Sequence, residues 1–204
     1  MLFLLLACGP GNTTQYSGMS TNEYMPLDGV RSWQYENEGA IFDMFVEKTG
    51  SETVDGYDVV TITYSKKEPA ESLATISWSA HDGIKIHGYT ITNQGGMEFE
   101  TPIALSESKM IVGDVVESTT DGITFTSTLV VVEQCPNNWI DEANTWDCLT
   151  FEITSDSTSG DFPFLGEWSL ANTWGPSRFI ASDGPFASSN SWVLSQAQAT
   201  RSNE

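Results

Sequence analysis

Apolar side chains recur at every second residue along much of this chain, and that period leaves little room for anything but β-strands. Ala74, Ile76, Trp78 and Ala80 alternate with Leu73, Thr75, Ser77 and Ser79. Val60, Ile62 and Tyr64 share one face of segment 58–64. Ile123, Phe125, Leu129 and Val131 share a face opposite Thr124, Thr126 and Thr128. Leu149, Phe151 and Ile153 alternate with Thr150, Glu152 and Thr154. Successive side chains on a strand point to opposite sides, so each run predicts a half-buried strand. The Val and Thr that fill these runs favour extended backbone and weaken helix. No stretch carries a helical apolar pattern longer than two turns.

Turn signals fall between the runs. His81-Asp82-Gly83 joins 73–80 to 84–91, and Asn93-Gln94-Gly95-Gly96 ends the second of these strands. Thr119-Thr120-Asp121-Gly122 separates a strand near 113–118 from a long one at 122–133. Asp55-Gly56 and Lys48-Thr49-Gly50 punctuate the early region. Asp-Gly between alternating runs is a hairpin signal, so the expected fold is all-β with little helix: a locally connected antiparallel meander. Its 204 residues suit one such domain. The domain is expected over 24–195, with a last strand around Trp192, Val193 and Leu194 and a frayed tail at 196–204. Seven Trp, six Tyr and ten Phe supply its core.

The chain opens Met1-Leu2-Phe3-Leu4-Leu5-Leu6-Ala7-Cys8-Gly9. Leu5-Leu6-Ala7-Cys8 resembles the lipobox of bacterial lipoprotein signal peptides. That resemblance implies that 1–7 is the remnant of a signal peptide and that Cys8 carries lipid as the first mature residue. It places the protein in the cell envelope, and Gly9 after the cysteine leans towards the outer membrane. No Lys or Arg precedes Cys8, so the basic n-region of such a signal is expected upstream of Met1. No other run approaches the ~20 apolar residues of a membrane-spanning helix, so the partner membrane would be held through acyl chains. Residues 9–23, small and polar, read as a tether. With Cys8 assigned to lipid, Cys135 and Cys148 remain as an even pair. An oxidising compartment favours a disulfide between them over two buried thiols. With no His nearby the pair is not a zinc site.

A second resemblance begins at Tyr24-Met25-Pro26-Leu27-Asp28-Gly29-Val30-Arg31-Ser32-Trp33-Gln34-Tyr35. Exported bacterial lipoproteins of unknown function open their mature domain with an aromatic residue, Pro-Leu, a Gly and then W-x-Y. Asp82-Gly83-Ile84 with Gly88, Val112-Gly113-Asp114, Cys148-Leu149-Thr150-Phe151, Glu167-Trp168 and Trp174-Gly175 fit their later features. Pro176-Ser177-Arg178 departs from the glycine-rich closing run of that group. The resemblance implies a curved open sheet or half-barrel, similar in general shape to LolA-like lipoprotein carriers, whose concave face holds acyl chains. Independently of it, Trp33 and Tyr35 project on one side of the first strand and are expected to anchor the core.

The formal net charge is −20, from 28 acidic and 8 basic residues. A surface this negative repels phosphate backbones and argues against nucleic acid. It keeps a domain soluble and leaves cations or basic proteins as charged partners. Among residues that could carry chemistry, His81 and His87 flank one turn beside Asp82 and could converge, but no third metal ligand accompanies them. No nucleophile elbow, phosphate loop or carboxylate pair stands out, so no catalytic residue, metal or cofactor is nominated. Asp156-Ser157-Thr158-Ser159-Gly160-Asp161 and the Asp141, Glu142, Asn144, Asp147 group are acidic loops that depart from the calcium-loop pattern. Trp139 and Trp146, inside the expected Cys135–Cys148 loop, are candidate binding residues for a sugar or protein, or a cover over the sheet end. Three functions follow in order. The first is a lipid-anchored binding module whose concave sheet face takes an apolar or acyl-chain-bearing ligand. The second is an envelope structural or protein-interaction lipoprotein without a small-molecule site, and the third a hydrolase.

Overall fold

The computed structural model describes residues 21–28, 30–38, 40, 42–135, 147–158 and 161–199. A 3-10 turn, η1 (Thr21–Tyr24), precedes twelve strands. These are β1 (Val30–Glu36), β2 (Met44–Val54), β3 (Tyr57–Lys66), β4 (Glu71–Ser79), β5 (Lys85–Ile91) and β6 (Gly95–Ala104), followed by β7 (Val115–Thr120), β8 (Ile123–Gln134), β9 (Asp147–Ser155), β10 (Gly166–Ala171), β11 (Gly175–Ala181) and β12 (Trp192–Ala199). All pair antiparallel in one sheet, ordered β6-β5-β4-β3-β2-β1-β12-β11-β10-β9-β8-β7. The sheet curves through 312° into a nearly closed barrel.

The turn chemistry sets the register. Val54 pairs with Tyr57 and Thr120 with Ile123, each pair leaving an Asp-Gly as the whole loop. Asp55 and Gly56, like Asp121 and Gly122, have positive φ, the conformation whose twist matches the flanking strands. One expected break is instead continuous. Lys48-Thr49-Gly50 lies inside β2, where the pairing slips between Lys48 and Gly50. An extra residue is absorbed there as a bulge that bends the strand without ending it.

The edge strands β6 and β7, at the two ends of the sheet order, face each other across the seam. Side-chain hydroxyls bridge it. The Ala104 N–H donates to Ser118 Oγ (2.9 Å) and the Thr101 N–H to Thr120 Oγ1 (3.4 Å). The buried Ser127 hydroxyl donates to the Leu105 carbonyl (2.7 Å). Polar groups of a sheet edge therefore find partners, and the edge is blunted against pairing with another chain.

Inward-facing side chains form one core with members on β1–β6 and β8–β12. Its largest fully buried members include Trp33, Trp78, Trp168, Trp192, Tyr35 and Tyr64. Trp168 stacks on Phe179 at 4.5 Å with the planes 7° apart, and meets Trp78 edge-on at 6.0 Å. Phe162 and Phe164, from the β9–β10 connection, enter the core, where Phe162 contacts Phe125 at 5.0 Å. Phe186, from the β11–β12 connection, stacks on Tyr64 at 5.2 Å. As expected, Trp33 and Tyr35 anchor this core, each tied by a hydrogen bond of 2.7 Å, to the Trp174 and Pro176 carbonyls respectively.

Candidate functional site

The end of the barrel at which the chain enters β1 gathers most of the residues singled out in the sequence. Antiparallel order brings the β2–β3, β4–β5, β6–β7, β8–β9 and β10–β11 connections to that end. The opening segment staples them. The Thr21 hydroxyl donates to the Glu107 carbonyl (2.7 Å) and the Thr21 N–H to the Ser108 carbonyl (3.3 Å). Asn22 Oδ1 accepts from the Gly83 N–H (3.0 Å), and the Glu23 carbonyl accepts from the Thr173 N–H (2.8 Å). Tyr24 and Met25 are buried beneath. Gly83 has φ +97°, and a Cβ there would lie 2.1 Å from the Ser106 carbonyl oxygen. Glycine is thus required where this turn meets the β6–β7 connection.

His81 and His87 each contact Tyr57, just after the Asp55-Gly56 turn, and line separate clefts. Tyr57 stacks on His81 (5.6 Å between ring centroids, 16° between planes) and tilts against His87 (6.2 Å, 54°). His81 and Tyr57 line an open cleft of about 410 Å³ together with Asn22, Asp28 and Asp58. The cleft is polar, shallow and acidic. His87 lines a separate outer-face groove of about 190 Å³ with Glu52 and Glu98.

His87 Nε2 lies 2.8 Å from Ser79 Oγ, the spacing of a base and a hydroxyl. Ser79 is 0 % exposed, so no substrate reaches that hydroxyl and the pair serves to hold the ring. Burial pushes the His87 pKa below its usual value. The Lys85 charge adds to this and Glu52 and Asp55 partly offset it. Its imidazole is therefore neutral at pH 7. At the same end, burial lowers the Lys48 pKa, opposed by the Asp28 carboxylate. Within the core, burial raises the Tyr35 and Tyr64 hydroxyls well above the usual phenol value.

Cys135 and Cys148 form a disulfide, with their Cα atoms 5.1 Å apart. The bridge packs with Ala171 and Trp174. Trp139 and Trp146 lie outside the described residues, as do Cys8, Asp141, Glu142 and Asn144. Among the described residues no group of three or more His, Cys, Asp or Glu side chains is placed to hold a metal ion. Asp156 instead accepts the Thr124 N–H (2.9 Å), tying the end of β9 to β8.

Two features were not singled out from sequence. Tyr57 is one; its position one residue past an Asp-Gly turn was the available signal. The other is a set of exposed apolar residues, Ile111, Val112 and Val115, which are 49 %, 54 % and 54 % exposed; Val131, expected on the apolar face with Leu129, joins them at 36 % because the β8–β9 register slips between Leu129 and Val131. Ile111 and Val112 sit in the β6–β7 connection, and Val115 begins β7.

Compared with known proteins, the chain matches no family model, no curated protein and no solved structure.

Proposed function

We propose that this protein is a non-enzymatic interaction module of the cell envelope, held to a membrane by acyl chains on Cys8, that meets a protein partner with its outer surface. Its interior is not the binding site in this reading. The supporting observation is that the barrel's concave side is occupied by its own rings. Trp78, Trp168, Phe179 and Trp192 pack across the middle, and Phe162, Phe164 and Phe186 enter from the connections. An acyl chain or other apolar ligand would have to displace them, and close-packed interiors yield space at a cost of kilocalories. Recognition then falls to the surface, where the Tyr57–His81 cleft offers two stacked rings beside carboxylates. Such a surface, on a chain of net charge −20, suits a partner that carries basic groups and binds less tightly as salt rises. Outer-membrane residence follows from the same lipobox reading and Gly9.

Native mass spectrometry of the protein taken from its own envelope tests this. The expected mass is that of the acylated, disulfide-bonded polypeptide with no retained small molecule. A stoichiometric apolar ligand carried through purification would return the function to the concave face. Tyr57→Ala with His81→Ala should weaken a captured basic partner without lowering the unfolding midpoint appreciably.

A further inference from the structure

We infer that the β7–β8 side of this barrel end, bearing Ile111, Val112, Val115 and Val131, rests on the surface of a zwitterionic lipid bilayer, with the Tyr57–His81 cleft on the β2–β5 side facing away from it. This rests on the reading of Cys8 as lipidated. The first observation is the patch itself. These four are the large hydrophobic residues exposed among the described residues. Ile111 and Val112 stand in the turn, which the Asp114 carboxylate closes by accepting the Ile111 N–H at 2.8 Å. The Gly113 N–H donates to the Leu129 carbonyl (2.8 Å), which lays this turn beside β8 two residues before Val131. Val115 continues the patch onto β7, opposite Thr128.

The second observation is where the chain outside the barrel is attached. Thr21 is hydrogen-bonded to Glu107 and Ser108, and Ile111 follows Ser108 by three residues. At 3.80 Å between successive Cα atoms, the Ile111 Cα is within about 11 Å of the Ser108 Cα. Only the dozen residues from Gly9 to Ser20 separate Cys8 from Thr21, a chain length of at most about 43 Å. Acyl chains on Cys8 would therefore hold this end of the barrel, where Thr21 is fixed, nearer the membrane than the opposite end, a strand length of 6 to 12 residues away. The apolar side chains stand on the tethered end, at the place where a bilayer would meet them.

Charge selects the lipid. Glu107 and Asp114 flank the patch, and Lys109 is the one basic residue between them. An anionic headgroup would be repelled, whereas a zwitterionic one accepts shallow apolar contact without that cost. A β-structured domain then docks by a turn and a strand start rather than by an amphipathic helix.

The test uses the full acylated chain in phosphatidylcholine nanodiscs, compared with the Cys8→Ser chain in solution by hydrogen–deuterium exchange. Intact mass comes first: absence of the acyl group would overturn the lipoprotein reading itself, separately from the docking surface. With acylation verified, docking predicts slower exchange in peptides covering 109–116 and unchanged exchange around β4 and β5. It also predicts that Ile111→Asp with Val112→Asp abolishes the slowing while leaving acylation intact. Replacing the lipid by phosphatidylglycerol should reduce the slowing. Equal exchange at 109–116 in nanodiscs and in solution would overturn the proposal. So would slowing in the lipid-free Cys8→Ser chain that grows with concentration and accompanies a dimeric mass, which would assign the patch to a second copy.

Discussion

Replacing Trp168 by alanine measures how tightly the barrel is filled. The indole is fully buried, stacks on Phe179 at 4.5 Å, meets Trp78 at 6.0 Å, and donates from Nε1 to the Phe164 carbonyl at 2.8 Å. Truncating a buried Trp to Ala costs ~3–5 kcal/mol in transfer and cavity terms. Leaving the Phe164 carbonyl without its donor adds about 1 kcal/mol or more. The expected loss is about 4–6 kcal/mol, a large fraction of the ~5–15 kcal/mol that holds a typical domain folded. Trp168→Phe keeps a ring over Phe179 and loses the N–H, so it should cost only ~1–2 kcal/mol. Urea unfolding with the disulfide intact reads both, through a lower midpoint at constant slope. The alanine variant should also bind a small apolar probe such as benzene, as an emptied apolar cavity does, and the unaltered protein should not. A loss below about 2 kcal/mol for Trp168→Ala, or equal probe binding by the two proteins, would refute the packed interior and with it the assignment of recognition to the outside.

Ser127→Ala removes the buried hydroxyl that donates to Leu105 across the seam; the expected cost is ~1–2 kcal/mol, with faster amide exchange in β6. Gly83→Ala places a methyl 2.1 Å from the Ser106 carbonyl at φ +97°, and should lower stability by more than ~2 kcal/mol in the same urea assay. Reduction of Cys135–Cys148 opens a loop of a dozen residues and should cost about 3 kcal/mol, seen as a lower melting temperature in dithiothreitol. The folded His87 pKa lies below the unfolded value, so its contribution is complete above about pH 6.5 and is lost as the pH falls. Between pH 7 and pH 5 the unaltered protein should lose more stability than His87→Gln, and parallel pH profiles would remove His87 as the cause.

Strands with a clean alternation were readable because their faces differ. Segment 58–64 lies within β3, 73–80 overlaps β4, and 149–154 lies within β9. β2 was harder. Beyond its bulge it carries Ser51, Glu52 and Thr53, exposed and polar, so neither face announces itself. β10 and β11 are largely buried, and a strand without a polar face loses the period that identifies it. Closure of the sheet was not legible either, because it depends on Ser118, Thr120 and Ser127 reaching across strands distant from the alternation that predicted them. At the candidate site, the placement of His81 and His87 on either side of one turn could be read from the sequence. Their common contact with Tyr57 could not, since it requires the β2–β3 turn to fold beside the β4–β5 turn.

The strand order also bears on synthesis. All ladders but one join strands that follow each other along the chain; the exception pairs β1 with β12, down to Val30 against Ala199. A ribosome adding about 5–20 residues per second needs roughly 10–30 s to make the intervening chain. Through that interval one flank of β1, with Trp33 and Tyr35 on it, has no partner strand. A bare apolar edge of that kind invites pairing with another chain. Until β12 is made, nothing in the native fold covers that edge.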